Sequence, residues 1–254
     1  MGMQKMMIND PVLPEGLYLK KCDGRLCLTD GAQEVCGDFG HMKRRLREAN
    51  LRQELIVKAA RIRAGRGKSD DRESGQQGRA EDIAGTVWQK TAYRVIDATA
   101  GLGEDSLLLA AAGFEVDLFE RDPVIAALLE DALQRALNDP ELSETVSRMH
   151  LHREDSIMAM RKCQASVKPD IVFLDPMFPE RQKSALVKKK FQLLQQLERP
   201  CADETELLDA ALAARPFKII IKRPLKGPYL AGRKPSYSLT GKAIRYDCIV
   251  LPDN

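Results

Sequence analysis

The 254-residue sequence predicts an α/β fold, a doubly wound and mostly parallel sheet of Rossmann-like type with a small N-terminal β and helical appendage. Three observations predict it. From Arg94 onward, short apolar runs alternate with helical stretches, the pattern of parallel strands joined by crossover helices. A two-glycine turn, Gly101 to Gly103, joins the first of these runs to a helix. Asp-Gly pairs punctuate alternating apolar and polar residues over 15–40, which is a hairpin signal.

In chain order, Leu17-Tyr18-Leu19 and Leu26-Cys27-Leu28 read as the hairpin strands, on either side of Asp23-Gly24. Residues 42–63 place Leu51, Leu55, Ile56, Ala59 and Ile62 at helical spacing with basic residues opposite, which predicts one basic amphipathic helix. Gly65 to Glu81 is polar and glycine-rich, a flexible insertion or linker. The expected division is therefore 1–64 for the appendage and basic helix, 65–90 for the linker and 91–254 for the main domain.

In the main domain Val95-Ile96 predicts a strand, Ser106 to Ala112 a helix and Phe114 to Phe119 a second strand. Pro123 suits the first turn of a helix reaching about Asn138, because that position needs no N–H. Met149 to His152 and Ile171 to Leu174 are further strands, helices follow near Gln182–Leu197 and Glu204–Ala214, and Phe217 to Ile221 and Ile244 to Leu251 complete the sheet.

Composition bounds the function. With 44% apolar and 30% charged residues the chain is neither disordered nor fibrous. No apolar run approaches the roughly 18–20 residues of a membrane span, and the N-terminus lacks a signal-peptide layout, so a cytoplasmic protein with no membrane partner is expected. The six cysteines include no Cys-x-x-Cys pair, and the spacing of Cys22, Cys27 and Cys36 fits no standard zinc finger, so no metal is expected.

Net charge is only +3, yet its distribution is uneven. Lys43 to Lys68 holds ten basic residues and two acids, and Arg215 to Tyr246 holds nine basic residues and no acid. Blocks of this kind suit a polyanion, since each phosphate contact releases counterions. Arg44, Arg45, Arg52 and Lys58 on the basic helix, Lys188, Lys189 and Lys190, and Lys222 with Arg223 are the candidate RNA contacts. A solvated helix face is the bland alternative for either block.

The first chemical constellation is Asp97 to Asp105, where a strand ends at an acid, turns through Gly101 and Gly103 and opens a helix. Glycines let backbone approach a nucleoside, and the helix start offers free N–H groups. Glu120, at the end of the next strand, is placed to accept both ribose hydroxyls. A dinucleotide site would want a third glycine where Ser106 stands. Asp97 instead suits the charged amino group of S-adenosylmethionine (SAM). Asp155, after the third strand, is placed to meet the adenine amine while Ser156 caps the next helix, or else Asp155 is only a helix cap.

The second constellation is Leu174-Asp175-Pro176-Met177-Phe178-Pro179, after the fourth strand. Its acid, proline and aromatic resemble the motif of methyltransferases acting on nucleobase amines. Such an amine is a poor nucleophile because its lone pair is delocalised into the ring. Asp175 and the Pro176 carbonyl would accept its two N–H groups, and Phe178 would stack on the base.

With these residues in view, the chain resembles the small-subunit ribosomal RNA guanine-N2 methyltransferases of the J type, a class I SAM-dependent group. The likeness is carried by Val95 to Gly103, Glu120 with Pro123 to Leu129, Leu174 to Pro179 continuing through Lys189, Ile221 to Pro224, and Gly241-Lys242 with Arg245 to Asp247. The resemblance implies a Rossmann-like methyltransferase domain, SAM as cofactor, and a guanosine N2 of 16S ribosomal RNA or the small ribosomal subunit as substrate. It carries cofactor contacts to Glu104, Asp105, Glu120, Arg121, Asp155, Ser156 and Asp175. A methyltransferase for another RNA, protein or small-molecule amine, or an RNA-binding module without catalysis, are the other readings.

Overall fold

The structure, a computed structural model, describes residues 13–62, 93–162, 168–176, 193–194, 196–197 and 204–252. The expected linker, most of the expected helix at 182–197, Phe178 and Lys188 to Lys190 lie outside the described residues.

Three short antiparallel strands open the chain: β1 (Tyr18–Cys22), β2 (Arg25–Thr29) and β3 (Glu34–Val35). Asp23 and Gly24 both take positive φ at the β1–β2 turn, the backbone that Asp-Gly favours. The sheet's inner face, with Leu28 and Val35, packs on the helix α5 (Pro123–Leu137) through Val124, Ile125 and Leu128. Leu26 N–H also donates to Asp131 on that helix at 3.1 Å.

The predicted single basic helix is instead three short ones: α1 (Lys43–Leu46), α2 (Glu48–Leu51) and α3 (Leu55–Ala60). Arg47 and Glu54 adopt extended ψ values of 134° and 129° and break it. The apolar spacing was nevertheless informative, because Leu51, Ile56, Ala59 and Ala60 are buried in the main core. Lys218 pins α3 to the sheet by donating to the carbonyls of Ala59 at 2.8 Å and Arg61 at 2.6 Å, a cation on the negative end of a helix.

The seven-stranded sheet contains β4 (Arg94–Asp97), β5 (Glu115–Phe119), β6 (Met149–His152), β7 (Ile171–Leu174), β8 (Lys218–Pro224), β9 (Tyr237–Thr240) and β10 (Ile244–Val250). Its order is β6-β5-β4-β7-β8-β10-β9. All pairings from β6 to β8 are parallel, and β10 is antiparallel to both neighbours. Strand β9, absent from the sequence expectation, is the mostly exposed edge, so its short Tyr-Ser-Leu-Thr run carries no core pattern. Helices α3 and α4 (Glu104–Ala111) cover one face, and α7 (Ser156–Lys162) and α8 (Glu204–Ala213) the other. A short helix, α6 (Ser143–Val146), precedes β6.

The chain runs outward from β4 to β5 and β6, then returns to place β7 on the other side of β4. The strand order therefore reverses between β4 and β7, and ligands of such sheets bind beyond the strands' carboxyl ends at this point.

Candidate active site

Asp97, Glu120, Asp155 and Asp175 stand at or just beyond the carboxyl ends of β4, β5, β6 and β7. The parallel register brings these ends to one rim.

Asp97 is 1% exposed. Ser106 Oγ donates to its Oδ2 at 2.5 Å, and Thr99 N–H donates to Oδ1 at 3.0 Å. Burial pushes its carboxyl pKa up to about 7, against these two hydrogen bonds. Sequence reasoning treated Ser106 only as a missing glycine; in the fold it is the hydroxyl that holds Asp97.

The two glycines have different duties. Both have positive φ, 54° at Gly101 and 78° at Gly103. A Cβ on Gly101 would meet nothing within 4 Å, which leaves the rim beside it open. A Cβ on Gly103 would come within 2.8 Å of Leu129 Cδ1 and 3.4 Å of Phe39 Cζ. Gly103 thus also serves the packing of α4 on α5 and the N-terminal segment.

Glu120 faces Gly101. Its Oε2 accepts the Gly101 N–H at 3.1 Å and its Oε1 the Asp122 N–H at 2.8 Å. Burial raises its pKa, and these backbone donors counter the rise. Each oxygen keeps a second lone pair for a further donor.

Beyond β6, Asp155 is itself the helix cap, accepting Ile157 N–H at 2.8 Å, while Ser156 is the first helical residue. Of the two readings of this turn, the cap falls to Asp155 and not to Ser156. Arg121 lies 3.8 Å from Asp155, so these two predicted residues do meet. Glu104 is more outward, 3.4 Å from His41.

Asp175 is anchored twice. Its backbone N–H donates to Thr99 Oγ1 at 2.6 Å, and Lys222 Nζ lies 2.9 Å from its Oδ2. The same Nζ lies 2.6 Å from Asp105 Oδ2. Burial raises the Asp175 pKa, and Lys222 opposes the rise. Burial works to lower the Lys222 pKa, but the two carboxylates overcome it and raise it. Pro176 follows Asp175 directly at this rim.

Several expected RNA contacts are occupied elsewhere. Lys222 belongs to the acid cluster just described. Arg223 is 1% exposed, donates to the Pro228 carbonyl at 2.8 Å and lies 3.3 Å from Glu204, so it braces the interior. Arg45 forms a two-pronged pair with Glu54 at 2.7 and 2.8 Å, Arg52 pairs with Glu48, and Lys58 donates to Gln53 at 2.9 Å. Arg44 is exposed and has no ion pair among the described residues. Sequence reasoning did not single out Lys226 or Lys242, both exposed, as RNA contacts. They flank the Pro224–Ile244 pairing at the rim where Asp175 stands, Lys226 because β8 runs parallel to β7 and Lys242 because β10 runs antiparallel to β8.

Comparison with known proteins agrees with this architecture. Residues 45–251 match the model of the SAM_MT family, described as "Putative SAM-dependent methyltransferase". Fold, carboxylate rim and family model together define a SAM-dependent methyltransferase. A ribosomal RNA small subunit methyltransferase J from Thioalkalivibrio sulfidiphilus is 45% identical over 174 residues, 68% of each chain. One from Pseudomonas fluorescens is 50% identical over 161 residues, 63% of this chain and 62% of the relative, a little under two thirds of its length. The crystal structure of a SAM-dependent methyltransferase from Neisseria gonorrhoeae superposes with a TM-score of 0.66 at 29% identity, covering 96% of this chain and 86% of that one. The chain belongs to the ribosomal RNA small subunit methyltransferase J family.

The residues present fit SAM, the cofactor of this class. The open side of Gly101, the spare lone pairs of Glu120 beside it and the buried Asp97 carboxylate offer a surface for backbone approach, acceptors for ribose hydroxyls and a counter-charge for an amino group.

Proposed function

We propose that this protein methylates the exocyclic N2 amine of a guanosine in 16S ribosomal RNA, on free RNA or on the small ribosomal subunit, in the cytoplasm. The observation that carries the reading is Asp175, a carboxylate fixed at the switch-point rim by Thr99 and Lys222. Lys222 engages Oδ2, which leaves Oδ1 to accept an N–H of the incoming amine. The Pro176 carbonyl accepts the second N–H, and Phe178 stacks on the base. Held in this way, the amine nitrogen is aimed at its target and the barrier is lowered by positioning. Bound SAM supplies the electrophilic methyl group. Asp175 then takes the proton released by the nitrogen or passes it to water, and no cysteine nucleophile is needed.

Asp97, Glu120, Arg121 and Asp155, with Gly101, Glu104 and Asp105, form the cofactor side of the site. Lys226, Lys242 and Arg44 are the exposed cations free to meet RNA phosphates, with Lys188 to Lys190 as further contacts. Names of relatives identified as small-subunit ribosomal RNA methyltransferases support the RNA substrate.

The test is nucleoside mass spectrometry of 16S ribosomal RNA from cells with and without the protein. Loss of one N2-methylguanosine, restored by the wild-type chain but not by Asp175→Ala, is expected. An unchanged nucleoside profile, or restoration by Asp175→Ala at the wild-type level, overturns the reading.

A further inference from the structure

We propose that the outer face of the N-terminal sheet is a binding site for a thiophilic divalent cation of the zinc type, ligated by Cys22, Cys27, Cys36 and Glu34. The spacing of these residues in sequence matches no finger motif, but the sheet register gathers them. In the β1–β2 pair, Cys27 stands opposite Lys20 and Cys22 opposite Arg25, which makes Cys22 the diagonal neighbour of Cys27 on the same face. In the β2–β3 pair, Thr29 stands opposite Glu34 and Leu28 opposite Val35, so one further step places Cys36 across from Cys27. Leu28 and Val35 face α5, and the alternation of strands turns Cys27, Cys36 and Glu34 to the other side.

The side chains converge as this register requires. Ligand atoms of Cys22, Cys27 and Glu34 all lie within 4.8 Å of one another. Cys22 Sγ donates to Glu34 Oε2 at 3.2 Å, and the Cys27 pKa is raised first by burial and then by the neighbouring Cys22 and Cys36 thiols. On a tetrahedral zinc with Zn–S of ~2.3 Å, neighbouring ligand atoms stand about 3.5–3.8 Å apart. Small rotamer changes bring Cys22, Cys27 and Glu34 onto an ion, and Cys36, outside that group, completes the set by turning its sulfur toward Cys27.

Three thiols with one carboxylate select a soft or borderline cation over magnesium or calcium, which take oxygen ligands. A dication held by three thiolates and a carboxylate keeps a net negative charge. Lys20, 3.2 Å from Glu34 Oε2, and Arg25 on the same face offset it, although Arg25 is shared with Asp23 and Asp38. Binding releases the thiol protons to solvent, so affinity rises with pH. The occupied site would tie all three strands together, since Cys22 lies on β1, Cys27 on β2, and Glu34 with Cys36 on and beside β3. A sheet with strands of five, five and two residues gains most from such a staple.

The experiment is metal analysis of the reduced full-length chain, followed by Zn²⁺ titration against a chromogenic chelator and by Co²⁺ substitution. One equivalent of Zn²⁺ per chain is expected, with the intense near-ultraviolet sulfur-to-cobalt band of a tetrahedral thiolate site. Cys27→Ser should abolish binding. Because Cys27 is buried, the partly exposed Cys22→Ser and the exposed Glu34→Gln are the decisive variants, and each should weaken binding at least tenfold while thermal unfolding stays cooperative. Cys248→Ser and the Cys163→Ser/Cys201→Ser double variant should bind as wild type. The proposal is overturned if the reduced chain takes up no stoichiometric Zn²⁺ or if Cys22→Ser and Glu34→Gln bind normally. It is equally overturned if Cys27 and Cys36 prove to be joined as a disulfide that resists reduction.

Discussion

Lys222, near the end of β8, holds Asp175, just past the end of β7, through a 2.9 Å ion pair, and its second partner is Asp105 at the start of α4. One cation therefore ties two strand ends and a helix N-terminus into a single acidic cluster. Lys222→Met should leave Asp175 and Asp105 facing each other without their shared counter-charge. We expect kcat to fall at least tenfold with KM for the cofactor changed less. Because Lys222 holds the Asp175 pKa down against burial, its loss should move the acid limb of the kcat–pH profile to higher pH, with Lys222→Arg partly restoring it. A profile that does not move would remove Lys222 from the positioning of Asp175.

Asp97 should make cofactor binding dependent on pH. Its folded pKa of about 7 lies above the unfolded carboxylate value, so the folded chain holds this proton more tightly than the unfolded chain. The stability this contributes is full below the unfolded pKa and lost as pH rises through about 7. A bound cation favours the ionised form, so affinity for S-adenosylhomocysteine should fall as pH drops below about 7, approaching tenfold per unit at the steepest. Calorimetry across about pH 5.5 to 7 should show this slope in the wild type and little of it in Asp97→Asn.

The two glycines of the first turn should separate stability from binding. Gly103→Ala places a methyl against Leu129 and Phe39 at positive φ, and should cost about 2–3 kcal/mol in denaturant unfolding. Gly101→Ala meets open space, so strain at positive φ alone should cost about 1 kcal/mol. Its methyl should nevertheless reduce cofactor affinity at least fivefold, because it projects where the ligand must approach.

The basic residues should divide by salt dependence. Lys226→Glu with Lys242→Glu should weaken RNA binding and flatten the slope of log affinity against log salt by about 1.5 or more, near 0.7–0.9 for each lost phosphate contact. Arg223→Met should leave that slope intact and lower thermal stability, since its guanidinium is tied to Pro228 and Glu204 in the interior. Equal slopes in all variants would place the RNA surface elsewhere.

Much of the architecture was legible in the sequence. Apolar runs of strand length alternating with helical stretches mark β4 to β8 along the chain, because parallel strands buried on both faces read as short continuous apolar runs. The acids Asp97, Glu120, Asp155 and Asp175 were recognisable because each follows a predicted strand, and parallel strands deliver their carboxyl ends to one rim. Tertiary structure decided what adjacency in sequence could not. Lys222 and Arg223 are neighbours of like charge, yet strand alternation sends Lys222 to the α4 face and Arg223 towards α8, one into the site and one into a brace. Gly101 and Gly103 look equivalent until Leu129 and Phe39 are packed against only the second. Lys242 joins Lys226 at the rim only because β10 runs antiparallel to β8, and the register of three short strands brings Cys22, Cys27 and Glu34 together. Local pattern is set by the period of one strand or helix, whereas a side chain's partners depend on register and on which face of the sheet another element covers.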